Sequence, residues 1–121
     1  MDNQKVVRTS QIRINVGLNK ENVPVDITWD ADDQGGVEPQ PCKAMFLSLF
    51  ERSAKETLKI DLWTEDMQIV EMDRMIFHTL RSMAETYLKA SNHVELAGQF
   101  QQFVHYFGEK TGILTPPPSA Q

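Results

Sequence analysis

Between Gln11 and Asp30 the apolar residues fall on every second position. Ile12, Ile14, Val16 and Leu18 alternate with Arg13, Asn15 and Gly17; Val23, Val25, Ile27 and Trp29 alternate with Pro24, Asp26, Thr28 and Asp30. Period two with one apolar side predicts two half-buried strands. Asn19-Lys20-Glu21-Asn22 between them has the length of a hairpin connection. Pro24 has no N–H to give a ladder, so it belongs at a strand start or edge. The segment from Ala31 to Pro41, rich in Asp, Gly and Pro, reads as a loop.

The next apolar run, Lys43 to Glu51, is ambiguous by periodicity. A strand would put Met45, Leu47 and Leu49 on one face and Ala44, Phe46 and Phe50 on the other. A helix would gather Met45, Phe46, Leu49 and Phe50 into a stripe. The polar pentad Arg52-Ser53-Ala54-Lys55-Glu56, followed at once by alternating Leu58, Ile60 and Leu62, favours a second hairpin and hence the strand.

After Met67 the period changes from two to about 3.6. Met72, Met75, Ile76, Thr79, Leu80, Met83, Tyr87 and Leu88 keep one helical face to about Ala90, with Thr64 or Asp66 as the expected cap. Asn92 with Glu95 three residues on predicts the start of a second helix. That helix carries Val94, Ala97, Phe100, Phe103, Val104 and Phe107 and stops at Gly112. Strands followed by helices predict an α+β fold with segregated layers: a four-stranded antiparallel sheet of two hairpins, with two C-terminal helices packed on one face. The expected organisation is a disordered lead-in over 1–8, a single α+β domain over 9–114 and a Pro-rich disordered tail over 115–121.

Composition adds mostly exclusions. A net charge of −5 disfavours nucleic acid as a partner. The single cysteine, Cys42, rules out an intrachain disulfide and a thiolate metal cluster. No apolar run has the length of a membrane span, and Met1–Arg8 has no apolar core of signal-peptide length, so membrane insertion is not expected and a cytoplasmic location is.

Candidate chemistry is sparse. Asp30, Asp32, Gln34 and Gly35 sit at the first, third, fifth and sixth places of a calcium loop, but Pro41 stands where a bidentate Glu belongs, and a solvated turn is the better reading. His78, His93 and His105 share no metal-type spacing. Cys42 beside Lys43 has no identifiable base. Ser10, Ser48, Ser53, Ser82 and Ser91 lack the strand–elbow–helix context of a nucleophile, and no phosphate-binding glycine loop is present. Catalytic, cofactor and metal residues are therefore expected to be absent.

The exception to this blandness is aromatic. In the strand reading, Phe46 and Phe50 lie opposite Met45, Leu47 and Leu49, and Trp63 lies opposite Leu58, Ile60 and Leu62. Leaving several such side chains in water sacrifices roughly 1.5–3 kcal/mol each relative to burial, so they form either a second small core or a contact patch for a partner or a second copy.

The blocks Cys42–Phe50, Thr57–Met67 and Phe77–Ala84, together with the opening Thr9-Ser10-Gln11-Ile12-Arg13 and the stretch from Val23 to Asp32, resemble the gliding motility protein GldC. The resemblance runs from about Thr9 to Ile113. It implies a small, soluble, cytoplasmic protein of Bacteroidetes, accessory to the machinery that moves adhesins along the cell surface and associated with type IX secretion. It brings no catalytic or ligand-binding residues with it. The expected function is thus a non-enzymatic accessory role through protein–protein contact, with partners in the motility machinery or self-association as a homodimer or higher oligomer. The order of four strands then two helices is also that of the SecB export chaperone, so a holdase for secreted clients is the alternative, ahead of a small-ligand binder.

Overall fold

A computed structural model describes residues 2–34 and 38–115. The proline-rich run after Thr115 lies outside the described residues, as do Gly35 and Gly36. The chain divides into two compact units, the first ending at Met67 and the second starting at Gln68.

The first unit is built from antiparallel strands. A 3-10 turn, Asp2–Gln4, precedes β1 (Ile12–Leu18), β2 (Pro24–Ala31), β3 (Gln40–Cys42), β4 (Ala44–Phe50) and β5 (Thr57–Trp63). A second 3-10 turn, Asp32–Gln34, follows β2. Within the ambiguous run, Ala44–Phe50 is therefore a strand, as its polar flank implies. The single four-stranded sheet is not what forms: β1, β2 and β3 make one sheet and β4 and β5 another.

The cause lies at Lys43. Gln40, Pro41 and Cys42 pair with Trp29, Thr28 and Ile27, whereas Ala44 pairs with Trp63. Between them the Lys43 carbonyl accepts from Thr64 N at 2.8 Å instead of continuing the ladder with β2. The far end of β2 is engaged elsewhere, Pro24 O accepting from Glu65 N at 3.2 Å. One extended stretch thus changes partner at Lys43, and the sheet splits there. Pro41 is tolerated because β3 is an edge strand.

The first hairpin forms as expected, with Ile14 opposite Trp29 and Val16 opposite Ile27, up to an irregularity between Gly17 and Leu18. Its turn is templated by one side chain. Asn19 Oδ1 accepts from Glu21 N (2.8 Å) and Val23 N (3.1 Å), and Asn22 takes the left-handed conformation at φ 63°. Ile27 is the large side chain buried most completely in this unit.

The second unit is a helical hairpin, α1 (Ile69–Ser91) and α2 (Val94–Lys110). The expected caps move. Neither Thr64 nor Asp66 caps α1; Gln68 does, its backbone N–H bonding Glu71 Oε1 at 3.0 Å. Asn92 closes α1 from the left-handed region (φ 58°), its N–H reaching Leu88 O. His93 starts α2 by accepting from Leu96 N at Nδ1, 3.3 Å away.

The buried seam also differs from the expected stripe. Phe77 and Ala84 of α1 are buried, as are Ala97, Val104 and Gly108 of α2, with Leu80, Phe100, Phe107, Ile113 and Leu114 packed around Phe77, Ala84 and Val104. Met72, Met75 and Ile76 are only half-buried, and Met83 and Phe103 are exposed.

Gly98 and Gly108 both sit inside α2, yet only Gly108 is confined. A Cβ at Gly108 would lie 2.6 Å from Phe77 Cε1 and 2.7 Å from Leu114 Cδ1, whereas one at Gly98 meets nothing within 4 Å. Gly98→Ala is expected to stabilise the chain by up to about 1 kcal/mol through helix propensity. Gly108→Ala has the same propensity gain but forces overpacking worth about 1–3 kcal/mol, and lowers the midpoint of urea unfolding.

Candidate functional site

The β4–β5 hairpin presents the candidate face. Its register is unbroken from Ala44–Trp63 to Phe50–Thr57, so alternation holds along its whole length. Met45, Leu47 and Leu49 share one side with Leu62, Ile60 and Leu58. Ala44, Phe46, Ser48 and Phe50 share the other with Trp63, Asp61, Lys59 and Thr57. The structure therefore brings Phe46, Phe50 and Trp63 onto one face, as the parity argument requires.

They are not equally open. Phe50 is 70% exposed and Trp63 51% exposed. Phe46 is half-buried, with the Lys59 ammonium 5.9 Å from its ring centroid. Lys59 Nζ also lies 3.1 Å from Asp61 Oδ1 and 3.5 Å from Ser48 Oγ. At one end Trp63 joins Val23, Pro24 and Glu65 around a hollow of about 340 Å³. Phe46 joins Ile14, Ile27, Trp29 and Cys42 around a second hollow of about 230 Å³.

Thr64, which follows β5, is not the helix cap expected of it but a link between strands. It is 3% exposed, and its N–H secures the Lys43 carbonyl. Its hydroxyl lies 2.5 Å from Asp66 Oδ1 and 3.2 Å from Lys43 O. Donation from Thr64, with the Lys43 charge nearby, holds the Asp66 carboxyl below the usual aspartate range. In the sequence this position is marked by its capping chemistry and by the apolar–polar switch at the end of β5.

The acidic loop that resembles a calcium site has its oxygens committed elsewhere. Asp30 Oδ1 pairs with Arg13 Nη2 at 2.5 Å and Asp32 Oδ1 with Arg13 Nη1 at 3.0 Å. Asp32 Oδ2 accepts from Gln11 N at 3.0 Å, and Asp33 accepts from Arg8 and Ser10. The Gln11 amide, then Arg13, lower the Asp32 pKa; Asp30, then Asp32, raise that of Arg13. These acids clamp the chain before β1 to the end of β2, so the loop is tied rather than simply solvated.

The histidines serve three separate contacts: His78 with Arg81, His93 as a helix cap, and His105 with Glu109 at 3.5 Å. Cys42 is half-buried, with its thiol 3.8 Å from Gln40 O. In the helical unit a hollow of about 380 Å³ has Phe77, Val104 and Leu114 as apolar lining and Arg81, Glu85, Gln101 and His105 as polar lining. The Arg81 guanidinium lies over Phe77, 5.6 Å from the ring centroid. Among the described residues no group of three or more His, Cys, Asp or Glu is placed to hold a metal, and no helix is long and apolar enough to cross a membrane.

Antiparallel strands in two small sheets, a helical hairpin and an exposed aromatic strand face define an α+β protein whose most developed surface feature is apolar. The chain belongs to the gliding motility-associated GldC-like family, whose model matches residues 24–113. The matched stretch starts at β2, so the resemblance at Thr9–Arg13 lies ahead of it. No curated protein and no solved structure matches the chain.

Proposed function

We propose that this protein is a non-enzymatic accessory component of the gliding machinery, working in the cytoplasm of a Bacteroidetes cell through protein–protein contact. The observation that carries the proposal is the pair Phe50 and Trp63, both large, both exposed, and both on one face of a regular hairpin in a gliding motility-associated family. Large aromatic side chains supply much of the energy at protein interfaces because each removes extensive apolar surface from water. In this reading the partner is a component of the motility and type IX secretion apparatus.

The test is affinity purification from the native cell with wild-type chain and with Phe50→Ala and Trp63→Ala. Interface aromatics of this kind are worth about 2 kcal/mol or more, so each variant is expected to lose the captured partner while keeping its circular dichroism. Identical partner recovery from all three would overturn the proposal.

One observation supports a second reading, the holdase. The hairpin exposes apolar side chains on its other face too, Leu49, Leu58 and Ile60 among them. Two apolar faces suit an unfolded client. Suppression of client aggregation by the purified chain would favour this reading, and no effect in excess would reject it.

A further inference from the structure

We propose that β5 pairs antiparallel with β5 of a second copy of this chain, about a two-fold axis through Ile60. The proposal concerns the edge of the strand and does not rest on what the aromatic face binds.

Among the described residues β5 has one ladder neighbour, β4, and its other edge carries main-chain groups outside the ladders. Which groups those are follows from the two ends of the hairpin. Thr64 N bonds Lys43 O, and Glu51 N bonds Glu56 O. Both pairs fit the register in which Met45 faces Leu62, Leu47 faces Ile60 and Leu49 faces Leu58. Hydrogen-bonded and non-hydrogen-bonded pairs alternate along an antiparallel ladder, so Leu58, Ile60 and Leu62 turn their N–H and C=O toward β4. Thr57, Lys59, Asp61 and Trp63 turn theirs outward. The start of β2 lies beside the Trp63 end of this stretch, with Pro24 O accepting from Glu65 N and Val23 and Pro24 bordering a hollow with Asp61, Leu62 and Trp63.

The outward alternation restricts how two copies can join. A two-fold axis falling between residues would set an outward group against an inward one and form no ladder. Axes through residues leave three central choices. Centring on Lys59 sets Lys59 against Lys59; centring on Asp61 sets Asp61 against Asp61. Centring on Ile60 sets Lys59 against Asp61 twice, by symmetry, in hydrogen-bonded pairs. Opposite charges across a ladder stabilise it and like charges oppose it. The same register places Leu58 opposite Leu62 and Ile60 opposite Ile60.

The charged pair is available for this. The side chains of Lys59 and Asp61 are 52% and 37% exposed, and they now satisfy one another along the strand at 3.1 Å. The apolar side gains as well. Leu58 is 55% exposed and Ile60 38% exposed; pairing joins their rows from the two copies into one face, flanked by Met45, Leu47 and Leu49 of each β4. Lysine on an edge strand commonly serves to prevent pairing. Here an aspartate two residues away converts that deterrent into a choice of register, and the isologous contact closes at two copies.

The purified full-length chain tests this by sedimentation equilibrium. The wild type is expected to be a dimer. Lys59→Asp alone and Asp61→Lys alone place like charges opposite one another, and each is expected to weaken the dimer by about tenfold or more. The double variant K59D/D61K is expected to restore it. Mixing the two single variants is expected to give a heterodimer, since each supplies what the other lacks. Unchanged circular dichroism separates loss of pairing from loss of fold. A monomeric wild type overturns the proposal, as does a dimer or larger species indifferent to the single substitutions. Neither result bears on partner capture by Phe50 and Trp63.

Discussion

Phe77→Ala is expected to cost about 3–5 kcal/mol, measured by urea unfolding of the intact chain. The ring is 3% exposed and packs within the cluster of Ala84 and Val104, with Leu80, Phe100, Phe107 and Leu114 around it. Two neighbours could in principle collapse into the space, but Ala84 has a single methyl and Gly108 has no side chain at all. Their smallness accommodates the ring, so removal leaves a cavity that they cannot fill. Against a typical domain stability of about 5–15 kcal/mol, the loss is a large fraction. The substitution also changes the response at Gly108. With the ring gone, one of the two groups that exclude a Cβ there is gone, and Gly108→Ala is expected to be less harmful in the Phe77→Ala background than in the wild type. Non-additivity of this kind is the signature of direct contact.

The second large effect is Ile27→Ala, expected to cost about 2–5 kcal/mol in the same assay. Ile27 is 1% exposed and sits in the middle strand of its sheet, opposite Val16 on one side and Cys42 on the other. Those neighbours are half-buried, so the strand unit depends on this side chain more than a larger core would. Substitution at Val25, exposed on the same strand, is the natural control and is expected to be far milder.

How much of this was legible in advance follows from which interactions are local. Strand parity is local. With no irregularity between Ala44 and Phe50, alternation alone placed Phe46, Phe50 and Trp63 on one face. The change of period after Met67 likewise gave the helices. The split at Lys43 was not legible because it depends on Thr64, some twenty residues later, taking the Lys43 carbonyl. β3 was hidden for a related reason: two prolines give Glu38–Pro41 the composition of a loop, and only an edge position reconciles Pro41 with a ladder.

On α1 the apolar and semi-apolar residues run almost all round, and the face expected from Met72, Met75, Ile76 and Met83 omits Phe77 and Ala84, which are the buried pair. The buried face packs on α2, where Gly108 leaves room for the Phe77 ring and Val104 joins Phe77 and Ala84 in the core. Asn92 was misread for a chemical reason. Asn is favoured both as an N-cap and in the left-handed position that ends a helix, and here it serves the latter. The calcium-like loop shows the converse: its acids were legible, but not the arginine on β1 that occupies them.

One property of the topology bears on how the molecule comes into being. β1 pairs with β2, β2 with β3, β4 with β5, and α1 packs on α2, so each element finds its mate next to it in the chain. Loop closure costs little entropy for these pairings, which favours rapid folding, and the link from Pro24 to Glu65 is the longer-range closure left to make. During synthesis each hairpin has both of its halves as soon as its second half leaves the ribosome. The lone strand edges exist from that moment, before the helices are made, and the alternating charges on β5 restrict the registers open to the nascent chain as well as to the finished one.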